Sequence, residues 1–115
     1  MYADGAAVAF LDINPWHRGH TVLVPRRHVA DLLELPEGLG ELTPAISATG
    51  RLLMDRLGAD GLNLLSNAGA VAGQEIFHLH VHLIPRYADR PGMAGLMERE
   101  TGIDLDEVHR QVVGD

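Results

Sequence analysis

The sequence predicts an α+β fold: an antiparallel sheet with one main helix on a face and a short C-terminal helix. Two observations lead there. The elements read in the order β-β-α-β-β-α, and the most regular strand, Glu75 to Ile84, alternates histidine with aliphatic residues, which gives it one polar face and one face for a helix to cover. At 115 residues, 46% hydrophobic and 22% charged, the chain is long enough for a single domain with one modest core, spanning 1–115.

The elements follow in order. Ala6 to Ile13 is apolar except for Asp12 and ends at Asn14-Pro15, which reads as a strand closed by a turn. His20 to Pro25 is rich in β-branched residues and bounded by Gly19 and Pro25, a second strand joined to the first by a hairpin loop carrying Trp16, His17 and Arg18. Between Gly40 and Leu57 the apolar positions recur at helical spacing. Pro44 is tolerable only in a first turn, so regular helix is expected from near Thr43, with Gly58 as its stop. Gly61 to Asn67 reads as a third strand, Ala68 to Gly73 as a loop of small residues, and Glu75 to Ile84 as a fourth strand stopped by Pro85. Tyr87 to Thr101 reads as loop, and Asp104 to Val113 as a short helix capped by Asp104.

Composition removes several functions. Nine arginines against sixteen acids give a net charge of −7, the wrong sign for an extended nucleic-acid surface. The absence of cysteine excludes disulfides, thiol catalysis and cysteine-ligated zinc. No apolar run reaches the ~18 to 20 residues that span a bilayer, so no membrane partner is expected and a cytoplasmic protein follows by default. The charge is also segregated. Residues 17–28 hold three arginines and three histidines without an acid, and residues 76–88 hold three histidines and one arginine without an acid. If the strands carrying them are neighbours, one small electropositive pocket results.

The segment His78-Leu79-His80-Val81-His82-Leu83-Ile84 states a chemistry. On a strand the three imidazoles share one face, roughly 6.6 Å apart. Such a row suits a phosphate group: neutral imidazole can attack phosphorus, and a neighbouring imidazole can donate to a phosphate oxygen. The preceding loop, Asn67 to Gln74, offers two amides and small residues whose backbone N–H groups could approach an anion. Two other readings stand beside this one. Histidines two apart can share a Zn²⁺, though three in a row cannot converge, so a metal-dependent hydrolase would need His78, His80 and His20 together. A nucleotide-binding module with little turnover is the other.

The motif His-φ-His-φ-His-φ-φ, where φ is apolar, resembles the signature of the histidine triad (HIT) family of nucleotide hydrolases and transferases. Ala9 to Pro15, Arg18 to His28 and Gly73-Gln74 stand in that family's order, so the resemblance covers roughly Ala6 to Tyr87. It implies a nucleotide substrate, no cofactor, no required metal, and a homodimer with a sheet continued across its interface. By the same resemblance His80 is the nucleophile at the α-phosphorus, His82 bonds the α-phosphate or leaving-group side, His78 is a buried orienting residue and His20 supports the triad. Asn67 and Gln74 are the implied phosphate and leaving-group contacts, and Asp12 the acceptor of the ribose hydroxyls, with Phe10 and Ile13 near the base.

Simpler roles are open to several of these residues. Asp12 could initiate a turn, Phe10 and Ile13 could be core residues bordering a pocket, and Asn67 and Gln74 could cap loops. His17, His28 and His109 read as surface histidines without a role. Ile84 stands where a nucleotidyltransferase branch carries glutamine, which favours hydrolysis. Glu75 stands where family members carry Ser or Thr, and the segment before the first strand is shorter than usual for the family.

Overall fold

The computed structural model describes residues 1–34 and 39–114. Five strands form one antiparallel sheet in the order β1-β2-β3-β5-β4: β1 (Tyr2–Ala3), β2 (Ala7–Leu11), β3 (Thr21–Pro25), β4 (Gly61–Leu65) and β5 (Val81–Arg86). The α+β architecture is as the sequence predicts, with β1 as an addition: Tyr2 and Ala3 pair with Ala9 and Val8 at the sheet edge.

Helix α1 (Thr43–Leu57) covers one face. Its buried residues Ala45, Leu53 and Leu57 join a core with Ala7 and Ala9 of β2, Leu23 of β3, and Val81 and Leu83 of β5. Pro44 lies in its first turn and Gly58 ends it in the left-handed region at φ 64°. The stretch read as loop after Tyr87 contains a short helix, α2 (Gly92–Met97), begun after Pro91. The last helix, α3 (Leu105–Val113), is capped by Asp104, whose side chain accepts from the Glu107 N–H at 3.2 Å; Val108 and Val112 are its buried residues. No described helix is long and apolar enough to cross a membrane.

The other predicted strands are shorter than expected by one to three residues, and β5 differs at both ends in ways that shape the site. β5 begins at Val81 rather than Glu75, so His78 and His80 precede regular pairing. It also runs through Pro85 instead of stopping there. Arg86, Ile84 and His82 turn their backbone groups toward β4, so Pro85 faces the β3 side, where pairing has already ended at Leu83. Its missing N–H therefore breaks no ladder bond.

Register then sets the open face. Phe10 pairs with Val22, Val22 with His82, and His82 with Leu65, so these four side chains stand abreast on the face away from α1. The ladder runs one step past β2, where the Asp12 N–H donates to the His20 carbonyl at 2.9 Å, which sets Asp12 opposite His20 on the same face. Gly19 makes the turn into His20 possible. It sits at φ 89°, and a Cβ there would collide with the Leu57 side chain and lie 3.0 Å from Pro85 Cγ.

Candidate active site

Strand pairing brings Asp12, His20 and His82 together. His20 Nε2 lies 2.9 Å from His82 Nδ1 and 3.6 Å from Asp12 Oδ2. Asp12 does initiate a turn, accepting the Asn14 N–H on Oδ1 at 2.8 Å, and among the described residues its Oδ2 accepts no hydrogen bond. His80 adjoins the group, its ring 5.0 Å from that of His82 at an interplanar angle of 78°.

Hydrogen bonding assigns the protons. The Trp16 N–H donates to His20 Nδ1 at 3.0 Å, so neutral His20 carries its proton on Nε2 and donates it to His82 Nδ1. His82 then keeps its proton on Nε2. His80 donates from Nδ1 to the His78 carbonyl at 2.9 Å, which can only accept, so His80 Nε2 is left as a bare lone pair. The chain thus sets a donor, His82 Nε2–H, beside a nucleophile, His80 Nε2. Burial keeps the relay neutral. With 2% of its surface exposed, His20 has its pKa pushed down to about 4, chiefly by desolvation; Asp12 raises it and His82 lowers it further. His82 is lowered too, first by desolvation and then by His80, against an opposing pull from Asp12.

The expected row of three is broken. Because His78 precedes β5, its ring turns away and donates from Nε2 to the Pro25 carbonyl at 3.2 Å, while its Nδ1 meets His28 Nδ1 at 3.2 Å. It is half-buried rather than buried, and it contributes its carbonyl to His80 rather than its imidazole to the row. His28 is exposed as expected but not idle, and His17 is buried, its Nε2 donating to the Leu96 carbonyl at 2.9 Å.

The loop before the triad differs as well. Gln74 is 3% exposed and spends its amide on its own loop and on the segment after β3, accepting from Gly69 N–H and donating to the Ala30 and Ile76 carbonyls. It braces the segment, the loop-capping alternative, in place of the implied leaving-group contact. The backbone N–H groups of Gly69, Ala72, Gly73 and Gln74 are also bonded within the loop, around the short 3₁₀ turn Ala70–Ala72, so they form no open anion cradle. Asn67 is half-buried, and among the described residues its side-chain amide forms no hydrogen bond, which leaves it available. Phe10 and Ile13, candidates for the core, are instead 47% and 79% exposed. Glu75 is exposed in the loop, off the strand.

The arginine side chains bond elsewhere than the triad: Arg86 to Asn63 Oδ1 and to the Arg90 and Gly92 carbonyls, Arg27 to Glu41, Arg26 to the Asp4 carbonyl and Arg18 to Gln111. For a metal, the ligand atoms that converge among the described residues belong to Asp12, His20 and His82, rather than to His78, His80 and His20. There, an ion would have to displace the proton already shared between His20 and His82.

The HIT domain family model matches residues 1–89. The chain belongs to the HIT family. It is 40% identical over 115 residues to an uncharacterized HIT-like protein of Methanocaldococcus jannaschii, covering 99% of this chain and 88% of the relative. Two relatives carry activities in their names. An adenylylsulfatase of Arabidopsis thaliana is 33% identical over 98% of this chain and 58% of its own length, and an adenosine 5'-monophosphoramidase of Saccharomyces cerevisiae is 36% identical over 91% and 66%. Among solved structures, a HIT-like protein from Bartonella henselae superposes with a TM-score of 0.81 at 28% identity, covering 98% of this chain and 82% of the other. The HIT assignment thus extends over the fold and the histidine motif, and hydrolases of nucleotide substrates are among its relatives.

Proposed function

We propose that this HIT protein is a nucleotide hydrolase that cleaves at the α-phosphate of a nucleoside phosphoramidate or dinucleoside polyphosphate through a nucleotidyl-histidine intermediate. The observation that carries the reading is the bare Nε2 of His80, left so because Nδ1–H is spent on the His78 carbonyl. That nitrogen attacks the α-phosphorus, an N–P bond forms, and the bond to the leaving group breaks. The departing amine or phosphate leaves hydrogen-bonded to His82 Nε2–H, which stands beside His80, and takes up a proton from water. Water then attacks the phosphorus, the N–P bond breaks to release the nucleoside monophosphate with His80 Nε2 bare again, and the proton that the attacking water gives up returns to solvent. His20 acts through His82 by holding its proton on Nε2.

Asp12, with one oxygen free, receives the ribose hydroxyls, and the exposed Phe10 and Ile13 flank the base. Asn67 is the remaining polar contact for the phosphate or the leaving group. The relatives named for adenylyl sulfate and for an adenosine phosphoramidate both suggest a small leaving group on the nucleotide, so the phosphoramidate is the first substrate to test. β4 is an edge strand with Leu64 and Leu65 exposed, which supports a homodimer joined along that edge.

The test is a panel of nucleoside phosphoramidates and dinucleoside polyphosphates read by release of nucleoside monophosphate. Turnover of at least one, unaffected by a chelator, is the expected result. Binding without turnover would favour the nucleotide-binding module, and loss of activity on chelation the metal-dependent hydrolase.

A further inference from the structure

The relay of protons into His82 starts at a backbone amide, the Trp16 N–H, and part of what holds the loop carrying it lies beyond residue 89, where the match to the family model ends. Three successive loop residues are tied to one short segment. The Trp16 carbonyl accepts from the Glu100 N–H at 2.9 Å, His17 Nε2 donates to the Leu96 carbonyl at 2.9 Å, and the Arg18 N–H donates to Glu100 Oε1 at 3.2 Å. The Trp16 ring is held as well: the Arg99 guanidinium lies over it, 4.5 Å from the centroid. Glu100 therefore grips the loop on both sides of buried His17, once by backbone and once by carboxylate.

We propose that Leu96–Glu100 is a strap that positions the active site, with Glu100 its principal residue, by keeping the Trp16 N–H on His20 Nδ1 and so fixing the protonated nitrogens of His20 and His82. The two neutral tautomers of an imidazole are close in energy in water, and a donor at one nitrogen selects the form protonated at the other. Released from Trp16, His20 can take its proton on Nδ1 and turn a lone pair toward His82 Nδ1. His82 must then carry its own proton on Nδ1 to meet it. Its Nε2 becomes an acceptor, and the donor beside His80 is lost. Glu100 is thus a positioning residue: it touches neither substrate nor the triad and acts through Trp16 and His20.

The catalytic consequence rests on the hydrolase reading above, whereas the tautomer consequence does not, so the experiment reads both. In the full chain with ¹⁵N-labelled histidine, long-range ¹H–¹⁵N spectra report which nitrogen of His20 and His82 is protonated, and kcat and KM are measured on a nucleoside phosphoramidate. Wild type and Glu100→Gln, which keeps an acceptor oxygen for Arg18, are expected to show both rings protonated on Nε2. Glu100→Ala removes the carboxylate's hold on Arg18 but leaves the backbone bond to Trp16, and is expected to shift both rings part of the way toward the Nδ1–H form. Glu100→Pro, which removes both the N–H and the carboxylate, is expected to complete that shift and to lower kcat about tenfold, with KM changed less than about twofold. An unchanged tautomer pattern in folded Glu100→Pro overturns the proposal, whatever happens to the rate. If Glu100→Pro does not fold, Glu100→Ala combined with Arg99→Ala decides by the same pattern. A wild-type protein with the expected tautomers and no turnover would leave the strap standing and sink the hydrolase.

Discussion

Two histidine pairs in this structure have almost the same geometry and very different surroundings. His20 and His82 stand with ring centroids 5.1 Å apart at 65°, His28 and His78 at 5.1 Å and 66°. The first pair is fed by a backbone N–H at one end, faced by a carboxylate, and held neutral by desolvation. The second has exposed His28 at one end and finishes on the Pro25 carbonyl. A contact between imidazoles is thus not itself a site. What makes one is a defined proton at each nitrogen and enough burial to keep it there, and in this chain those conditions meet on the side of His82 that adjoins His80.

Substitutions can test that contrast in order of effect. His80→Ala removes the nucleophile and is expected to cost at least about 10³-fold in kcat, with far-UV circular dichroism unchanged. His82→Ala removes the donor, about 10²-fold, and the loss should be smaller for a substrate whose leaving group needs no proton. His20→Gln, which breaks the relay one step back, is expected to cost about tenfold, mostly in kcat. At the other pair, His28→Gln should stay within about twofold of wild type, since among the described residues its side chain hydrogen-bonds to the ring of His78 and to no member of the relay; a loss as large as that of His20→Gln would erase the distinction between the pairs.

The same contrast extends to stability through pH. The folded pKa of His20, about 4, lies below the ordinary 6.5, so the unfolded chain binds that proton first. The contribution of His20 is therefore fully present above pH 6.5 and is lost as pH falls toward 4. Its size is at most about 3 kcal/mol, taking about 1.36 kcal/mol for each pH unit between the folded and unfolded values, and solvent screening reduces it. Urea denaturation at about pH 7 and about pH 4.5, on either side of the ordinary histidine range, should show this loss in wild type, and a smaller one in His20→Gln.

How much of this was readable in advance depends on how local each feature is. The spacing of His78 to Ile84, the Pro44 start and Gly58 stop of α1, and the Asp104 cap all lie within a few residues of what they determine, and these are visible in the chain. The pairing of β3 with β5 brings His20 to His82, and the alternation of side chains predicts their shared face. What was not readable is the bend that keeps His78 and His80 out of β5, because alternation alone continues the strand through them. The inward turn of Gln74 depends on carbonyls at Ala30 and Ile76 that no local pattern announces. The ties from Leu96 and Glu100 to the Trp16 loop join residues far apart in the chain, and each has a backbone group on at least one side, which carries no residue-type signal. β1 is two residues long, too short for an alternating pattern to register.

The central claim is that the bare Nε2 of His80 attacks phosphorus, and the most direct measurement is acid-free quenching of a phosphoramidate reaction followed by peptide mass spectrometry. The expected result is a nucleotidyl adduct on the peptide carrying His80, formed and consumed at rates compatible with turnover and absent from His80→Ala. Steady turnover with no adduct at any time, or an adduct on a different histidine, would contradict the claim.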